Sequence, residues 1–204
     1  GRCAGKSVQK CFNVMIGLNA GCCAESGSSV GNGSHVLIGL NAGQKMGQYG
    51  LTGGYNNTFI GSQAGQNQTC PNANIALGNN AALGTAGCKG GSCNIAIGFR
   101  ANYNVKTLNN NNIAIGRLTG AANSTGCNNI WMGNMSGMNQ IGGSGNFAVV
   151  SGARAQALGG NHNIAIGCYA NCANNSHNHN IYMGYFAGKK NGCCGCANGC
   201  FNIA

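Results

Sequence analysis

Asn94-Ile95-Ala96-Ile97-Gly98-Phe99-Arg100-Ala101 is the stretch from which the rest of the chain can be read. Ile95 and Ile97, two positions apart, give the period-two signature of a strand, and the glycine that follows marks a bend. The same order returns at residues 112–116 and 163–167, and in looser form throughout as N-(I/V)-x-(I/L/M)-G-x-x-A-G. Copies open at Asn13, His35, Asn57, Asn74, Asn94, Asn112, Asn129, Asn146, Asn163, Asn180 and Asn202, spaced by 22, 22, 17, 20, 18, 17, 17, 17, 17 and 22 residues. A single copy has too little apolar surface to fold alone, so neighbours must stack and bury a thin continuous column. The expected fold is all-β: one domain over residues 1–204, a parallel β-solenoid of about 10–11 short coils of 17–22 residues, stabilised by disulfides. At about 4.8 Å per coil this makes a rod roughly 50 Å long.

Each position in the repeat carries its own expectation. Period two puts Ile95 and Ile97 on one face, taken as the inward one. The residue between them then faces out: Met15, Leu37, Phe59, Ala76, Ala96, Ala114, Trp131, Ala148, Ala165, Tyr182 and Ala204. Five of these are bulky, which predicts packing within an assembly rather than display to solvent. The small residue three places after the glycine, such as Ala20, Ala101 or Ser136, suits a tight corner or a narrow interior. Glycine at the fifth place is expected where the backbone bends at unusual angles, and Val150 replaces it in the weakest copy. The opening Asn both donates and accepts, so successive Asn side chains are expected to bond as a ladder, with His35 the sole substitute.

Charge is scarce and one-sided. Lys and Arg number eleven, against one acidic residue, Glu25, and no Asp, for a formal net charge of +10. Carboxylate pairs, Ser-His-Asp triads and EF-hands all need acids that the chain lacks, so a non-enzymatic protein without a cofactor is expected. Net positive charge favours polyanions such as acidic polysaccharide. Arg2, Arg100 and Arg117 follow strand glycines, whereas Lys45, Lys89, Lys106, Lys189 and Lys190 lie in loops. That scatter forms no basic stripe and lacks aromatic interleaving, so specific nucleic-acid binding is not expected. No apolar run approaches the ~18 residues that span a bilayer.

Fourteen cysteines point to an oxidising, extracellular setting: a secreted, surface or virion-associated protein. They are Cys3, Cys11, Cys22, Cys23, Cys70, Cys88, Cys93, Cys127, Cys168, Cys172, Cys193, Cys194, Cys196 and Cys200, concentrated in loops and corners. No CxxC pair recurs at zinc-finger spacing. Cys70 with Cys88, Cys88 with Cys93, and Cys172 with Cys193 are competing pairings, and the clusters near both ends are placed to bridge subunits. Sequons at Asn32, Asn56, Asn67, Asn123, Asn134 and Asn174 admit N-glycosylation. His162 and His179 share a register, with His177 close by, which makes them weak metal candidates against a solvated loop as the default.

The two ends fit each other. Phe201-Asn202-Ile203-Ala204 begins a copy that stops before its glycine, and Gly1-Arg2-Cys3-Ala4-Gly5 reads as the missing G-x-x-A-G. Cys11-Phe12-Asn13 also matches Cys200-Phe201-Asn202. Either the chain is a segment of a longer repetitive polypeptide, or subunits stack head to tail into a filament through a contact that does not close; frayed termini on a single rod are the plain alternative to both.

The N-x-A-I-G-x-x-A pattern is similar to the head repeats of trimeric autotransporter adhesins and to Asn/Gly-rich repeats in fibre proteins of phages and large viruses. This resemblance implies an extended adhesive or structural fibre, often trimeric. Three roles are therefore in view. A self-assembling extracellular structural filament leads, an adhesive or receptor-binding fibre segment that binds surface glycans is second, and an ice-binding solenoid is third. The last lacks the regular Thr-x-Thr ladder of many ice binders.

Overall fold

The computed structural model describes residues 1–6, 12–22, 33–46, 54–68, 71–84, 91–104, 109–122, 125–154, 159–172 and 178–188. Ten three-residue strands follow one another: β1 (Val14–Ile16), β2 (Val36–Ile38), β3 (Thr58–Ile60), β4 (Ile75–Leu77), β5 (Ile95–Ile97), β6 (Ile113–Ile115), β7 (Ile130–Met132), β8 (Phe147–Val149), β9 (Ile164–Ile166) and β10 (Ile181–Met183). They form one parallel sheet in sequence order, each repeat in register with the next, as in Ile95↔Ile113 and Ile97↔Ile115. The expected all-β parallel solenoid is thus the observed architecture. The copy at Asn202 lies outside the described residues.

Two backbone features turn the strand into a coil. After every strand but β8, which Val150 follows, stands a glycine with a φ between 116° and 137°, a region closed to side chains, as at Gly17, Gly98, Gly133 and Gly167. These glycines also stack, so a Cβ on Gly78 would come within 2.6 Å of the Gly98 carbonyl oxygen. The corner that follows makes a second ladder of its own. Gly43 N–H donates to Ala64 O at 2.8 Å, and Gly65 and Gly137 N–H bond in the same way to Ala81 and Ala153. Continuous backbone pairing on strand and corner leaves few polar groups for the loops to satisfy.

The interior reverses the sequence expectation. The middle strand residue points in, and Leu37, Phe59, Ala76, Ala96, Ala114, Trp131, Ala148, Ala165 and Tyr182 are fully buried. Met15 packs against the same core, and Ala204 lies outside the described residues. The flanking pairs such as Ile95 and Ile97 face outward instead. Period two fixes which side chains share a face, not which face is inside. Room decides it: with one strand per coil, the opposite wall is the corner, where Ala20, Ala42, Ala64, Ala101 and Ala170 are also fully buried. The space between takes one inward column and not two.

That column is kept filled by compensation within each coil. Where the strand centre is bulky, as at Met15, Leu37, Phe59, Trp131 and Tyr182, the residue after the corner alanine or serine is Gly21, Gly43, Gly65, Gly137 or Gly188. A Cβ on Gly43 would lie 2.8 Å from the Leu37 side chain. Where the centre is alanine, the corner supplies Ala82, Asn102, Arg154 or Asn171. Gly120 sits opposite Ala114 and looks like an exception, but its space is taken by Trp131 of the next coil, 2.8 Å from a built Cβ.

The asparagine column also bonds differently from the expected amide ladder. Each Asn Oδ1 accepts the backbone N–H of the next opening residue at 2.8–3.0 Å, from Asn13 to His35 and from Asn57 through Asn180. The Nδ2 donates to a carbonyl in the arriving loop, as Asn94 does to Asn109 O at 2.8 Å and Asn112 to Gly126 O at 2.9 Å. Direct amide-to-amide bonds join Asn129, Asn146, Asn163 and Asn180 in addition. Asn57, Asn74, Asn94, Asn112, Asn129 and Asn146 therefore each pin two points of the next coil. His35 takes the same part with Nδ1, which accepts Asn57 N–H at 3.3 Å.

Candidate assembly site

Residues 1–5 stack on the coil of β1. Cys3 and Gly5 hold φ values of 59° and 65°, the same left-handed pair found at Asn19 (55°) and Gly21 (62°). Gly1 lies over Gly17, where a Cβ would stand 2.7 Å from the carbonyl oxygen. Gly5 N–H donates to Ala20 O at 2.9 Å and Asn19 N–H to Arg2 O at 3.0 Å. Gly1, Arg2, Cys3, Ala4 and Gly5 thus form the corner of a coil, as their sequence predicts. No strand among the described residues completes that coil.

Among the described residues strand β1 therefore has an open edge, its one partner in the sheet being β2. Val14 N–H is committed to His35 O and Ile16 O to Gly39 N–H, so strand alternation turns the Met15 N–H and C=O toward the open side. Phe12, Val14 and Ile16 are 87 %, 46 % and 56 % exposed there. An unpaired parallel edge with apolar flanks is a template for another strand. Phe201, Asn202, Ile203 and Ala204, the expected other half of the junction, lie outside the described residues.

The outer corner of β5 and β6 carries a second feature. The Arg100 guanidinium lies 5.1 Å from the Phe99 ring centroid and 5.2 Å from that of Tyr103, and Arg117 approaches Phe99 at 6.0 Å. Sequence reading saw scattered arginines. Coiling brings positions a repeat apart onto one corner, and so makes a local basic and aromatic patch.

Other predicted residues fall as follows. His162 and His179 stack at 5.2 Å with an interplanar angle of 23°, while His177 lies outside the described residues. Among the described residues no group of three or more His, Cys, Asp or Glu is placed to hold a metal ion. Cys3, Cys93 and Cys168 are free thiols, and no disulfide joins two described residues. Cys22 and Cys172 are buried, and the Cys127 Sγ accepts Asn110 N–H at 3.5 Å. Cys11, Cys23, Cys70, Cys88, Cys193, Cys194, Cys196 and Cys200 lie outside the described residues, so every pairing considered from sequence has at least one member there. Of the sequons, Asn56 and Asn134 are exposed and Asn67 is half-buried; Asn32, Asn123 and Asn174 are outside the described residues.

Sequence reasoning missed two sets of residues. Arg154 is 1 % exposed inside the rod, donating to Gln140 Oε1 at 3.3 Å and Gly159 O at 2.8 Å. Burial pulls its guanidinium down to about 10, with Tyr182 acting in the other direction. A second side-chain ladder runs two residues before the opening Asn, where Ser144 accepts Cys127 N–H at 3.1 Å and Asn161 accepts Ser144 N–H at 2.8 Å. Its signal was present in the recurrence of Asn, Ser or Cys at that position.

Comparison with protein-family models, curated proteins and solved structures finds no match. No described helix is long and apolar enough to cross a membrane.

Proposed function

We propose that the chain is a non-enzymatic structural protein, a subunit or segment of an extracellular β-solenoid filament that extends head to tail. The observation that carries this reading is the corner at residues 1–5. It is bonded in register to the first coil, with Gly5 N–H on Ala20 O, beside the open edge of β1. An Asn-Ile-Ala segment, from a second copy by β-augmentation or from the preceding repeat of a longer polypeptide, supplies the strand that pairs with β1 on this side. The contact is heterologous, so it propagates.

Scarcity of acids supports a structural rather than a catalytic role, since the chain has one acidic residue in 204. Cysteine richness supports an oxidising compartment, with disulfides among loop cysteines stiffening the rod or linking copies. Electron microscopy of purified protein across a concentration series tests the reading. Continuous filaments with a one-chain axial repeat are expected, and discrete rods at every concentration would sink it. Non-reducing gels of the same samples report covalent links between copies.

A second reading, an adhesive fibre segment that binds surface glycans or acidic polysaccharide, is favoured by the Arg100, Phe99, Tyr103 and Arg117 corner. Aromatic faces flanked by guanidinium groups suit sugar rings bearing carboxylate or sulfate. A glycan array distinguishes it: binding that an Arg100→Ala, Arg117→Ala variant loses supports adhesion.

A further inference from the structure

Inversion of the strands leaves a surface that neither the backbone ladders nor the open edge accounts for. Each described strand turns two side chains outward, and over ten strands all are apolar except Thr58. In-register pairing lines them up in two straight columns, with Ile95 over Ile113 and Ile97 over Ile115. On the interior strands Ile60 is 38 % exposed, Ile75 39 % and Met132 39 %, the other strip residues there, Ile95, Ile97, Ile113 and Ile115 included, are half-buried, and neither column contains a charge. Ten rungs at about 4.8 Å, two columns wide, make a strip on the order of 45 Å by 13 Å, or roughly 600 Å² per copy. That equals or exceeds the largest apolar patch of an ordinary monomer, about 300–600 Å². Two such strips together approach the ~1,200 Å² lower bound of a specific stable interface.

We infer that this aliphatic face is where copies of the chain pack laterally, like face against like face. Three properties select a second copy as the occupant. An identical strip has the same rung spacing, so side chains interdigitate along the whole length, which an unrelated surface cannot match over ten rungs. A flat, uncharged sheet face buries best against another sheet, at about 10 Å separation. Repulsion between copies of charge +10 is least on this face, because none of the described charged residues, Arg2, Lys6, Lys45, Arg100, Arg117 and Arg154, belongs to a strand. The inference is independent of head-to-tail stacking: axial growth lengthens a rod, whereas lateral packing thickens it.

Mass per unit length, from scanning transmission electron microscopy or from the cross-section term of small-angle scattering on the full chain, tests it. Native protein near 100 µM is expected to show at least twice the single-chain mass per length. A variant carrying Ile95→Thr, Ile97→Thr, Ile113→Thr and Ile115→Thr keeps β-branching while making the mid-strip polar, and is expected to fall to one chain per length with unchanged circular dichroism. Asn139→Ser, in an exposed turn, is expected to leave the value untouched. A single-chain cross-section for the native protein overturns the inference, as does a doubled value that persists in the folded threonine variant. Co-sedimentation with neutral phosphatidylcholine vesicles in place of self-packing assigns the face to lipid and also overturns it. Filaments of single-chain thickness would support the axial reading alone, so the two ideas fail separately.

Discussion

At the scale of single residues, Val150 is the clearest departure from the repeat. It holds φ at 86°, a region that a β-branched side chain rarely adopts, where neighbouring copies have glycine. The ladder is stretched beside it: Gly167 N–H reaches Val149 O at 3.2 Å, against 2.8 Å for Gly98 to Leu77 O. Val150→Gly is therefore expected to stabilise the rod by about 1 kcal/mol, relief of strain exceeding the added chain entropy, and urea denaturation measures it. Asn112 tests the pinning role. Asn112→Ala strands the Asn129 N–H and removes the Asn112 donor from the Gly126 carbonyl, a loss of about 1–3 kcal/mol, seen as faster hydrogen exchange at the Asn129 amide. Asn112→Asp keeps an acceptor but sets a buried carboxylate against that carbonyl, so it is expected to rescue nothing at neutral pH. This is a structural reason for the near absence of acids. His35 adds a pH dependence. Burial lowers its pKa below 6.5, and its neutral Nδ1 accepts Asn57 N–H. The unfolded chain then takes up the proton first, so this contribution is complete above pH 6.5 and is lost as pH falls below it. His35→Asn should flatten that part of the stability profile in urea titrations at pH 5 to 7.

At the scale of the element, each coil behaves as a two-part filling of one narrow lumen. Ala76→Leu adds volume against Ala82 in its own coil and is expected to cost about 1–3 kcal/mol, whereas the same change with Ala82→Gly reproduces the Leu37 and Gly43 pairing of β2. A double-mutant cycle should show a favourable coupling of at least about 1 kcal/mol between the two positions; additive effects would mean that the corner does not gate the lumen. The same coil shows what was legible in the sequence. Repeat length, strand, glycine bend and small corner could all be read from residues such as Ile95, Gly98 and Ala101, because each reflects local backbone geometry. Orientation could not. Ile95 and Ala96 alternate identically whichever side is buried, and the usual rule that larger aliphatics go inside fails where the lumen admits one column. Compensation between Ala148 and Arg154 was present in the sequence, but it emerges only when positions six apart are compared coil by coil. The Arg100 and Phe99 patch was hidden because Arg117 joins it from the next repeat.

At the scale of the whole molecule, a +10 charge with one acid means that copies have almost no opposite charges with which to bridge. Any association, end to end or face to face, must rest on backbone pairing and apolar burial while opposed by long-range repulsion. Screening then sets the balance. The Debye length falls from about 30 Å at 0.01 M salt to about 8 Å at 0.15 M, so charges on one rod lose sight of those on its neighbour across that range. Self-association is expected to strengthen with sodium chloride, roughly tenfold between 0.01 and 0.15 M, and to level off above it once repulsion is screened. Light scattering on one protein stock diluted into a salt series reads this directly. An assembly held by ion pairs would instead dissolve as salt rises, and that outcome would remove the apolar face and the open edge of β1 as the driving contacts. Acidic polysaccharide at low salt should reproduce the effect of added salt by neutralising loop and corner charges, and the Arg100→Ala, Arg117→Ala variant then separates general neutralisation from binding at the β5–β6 corner.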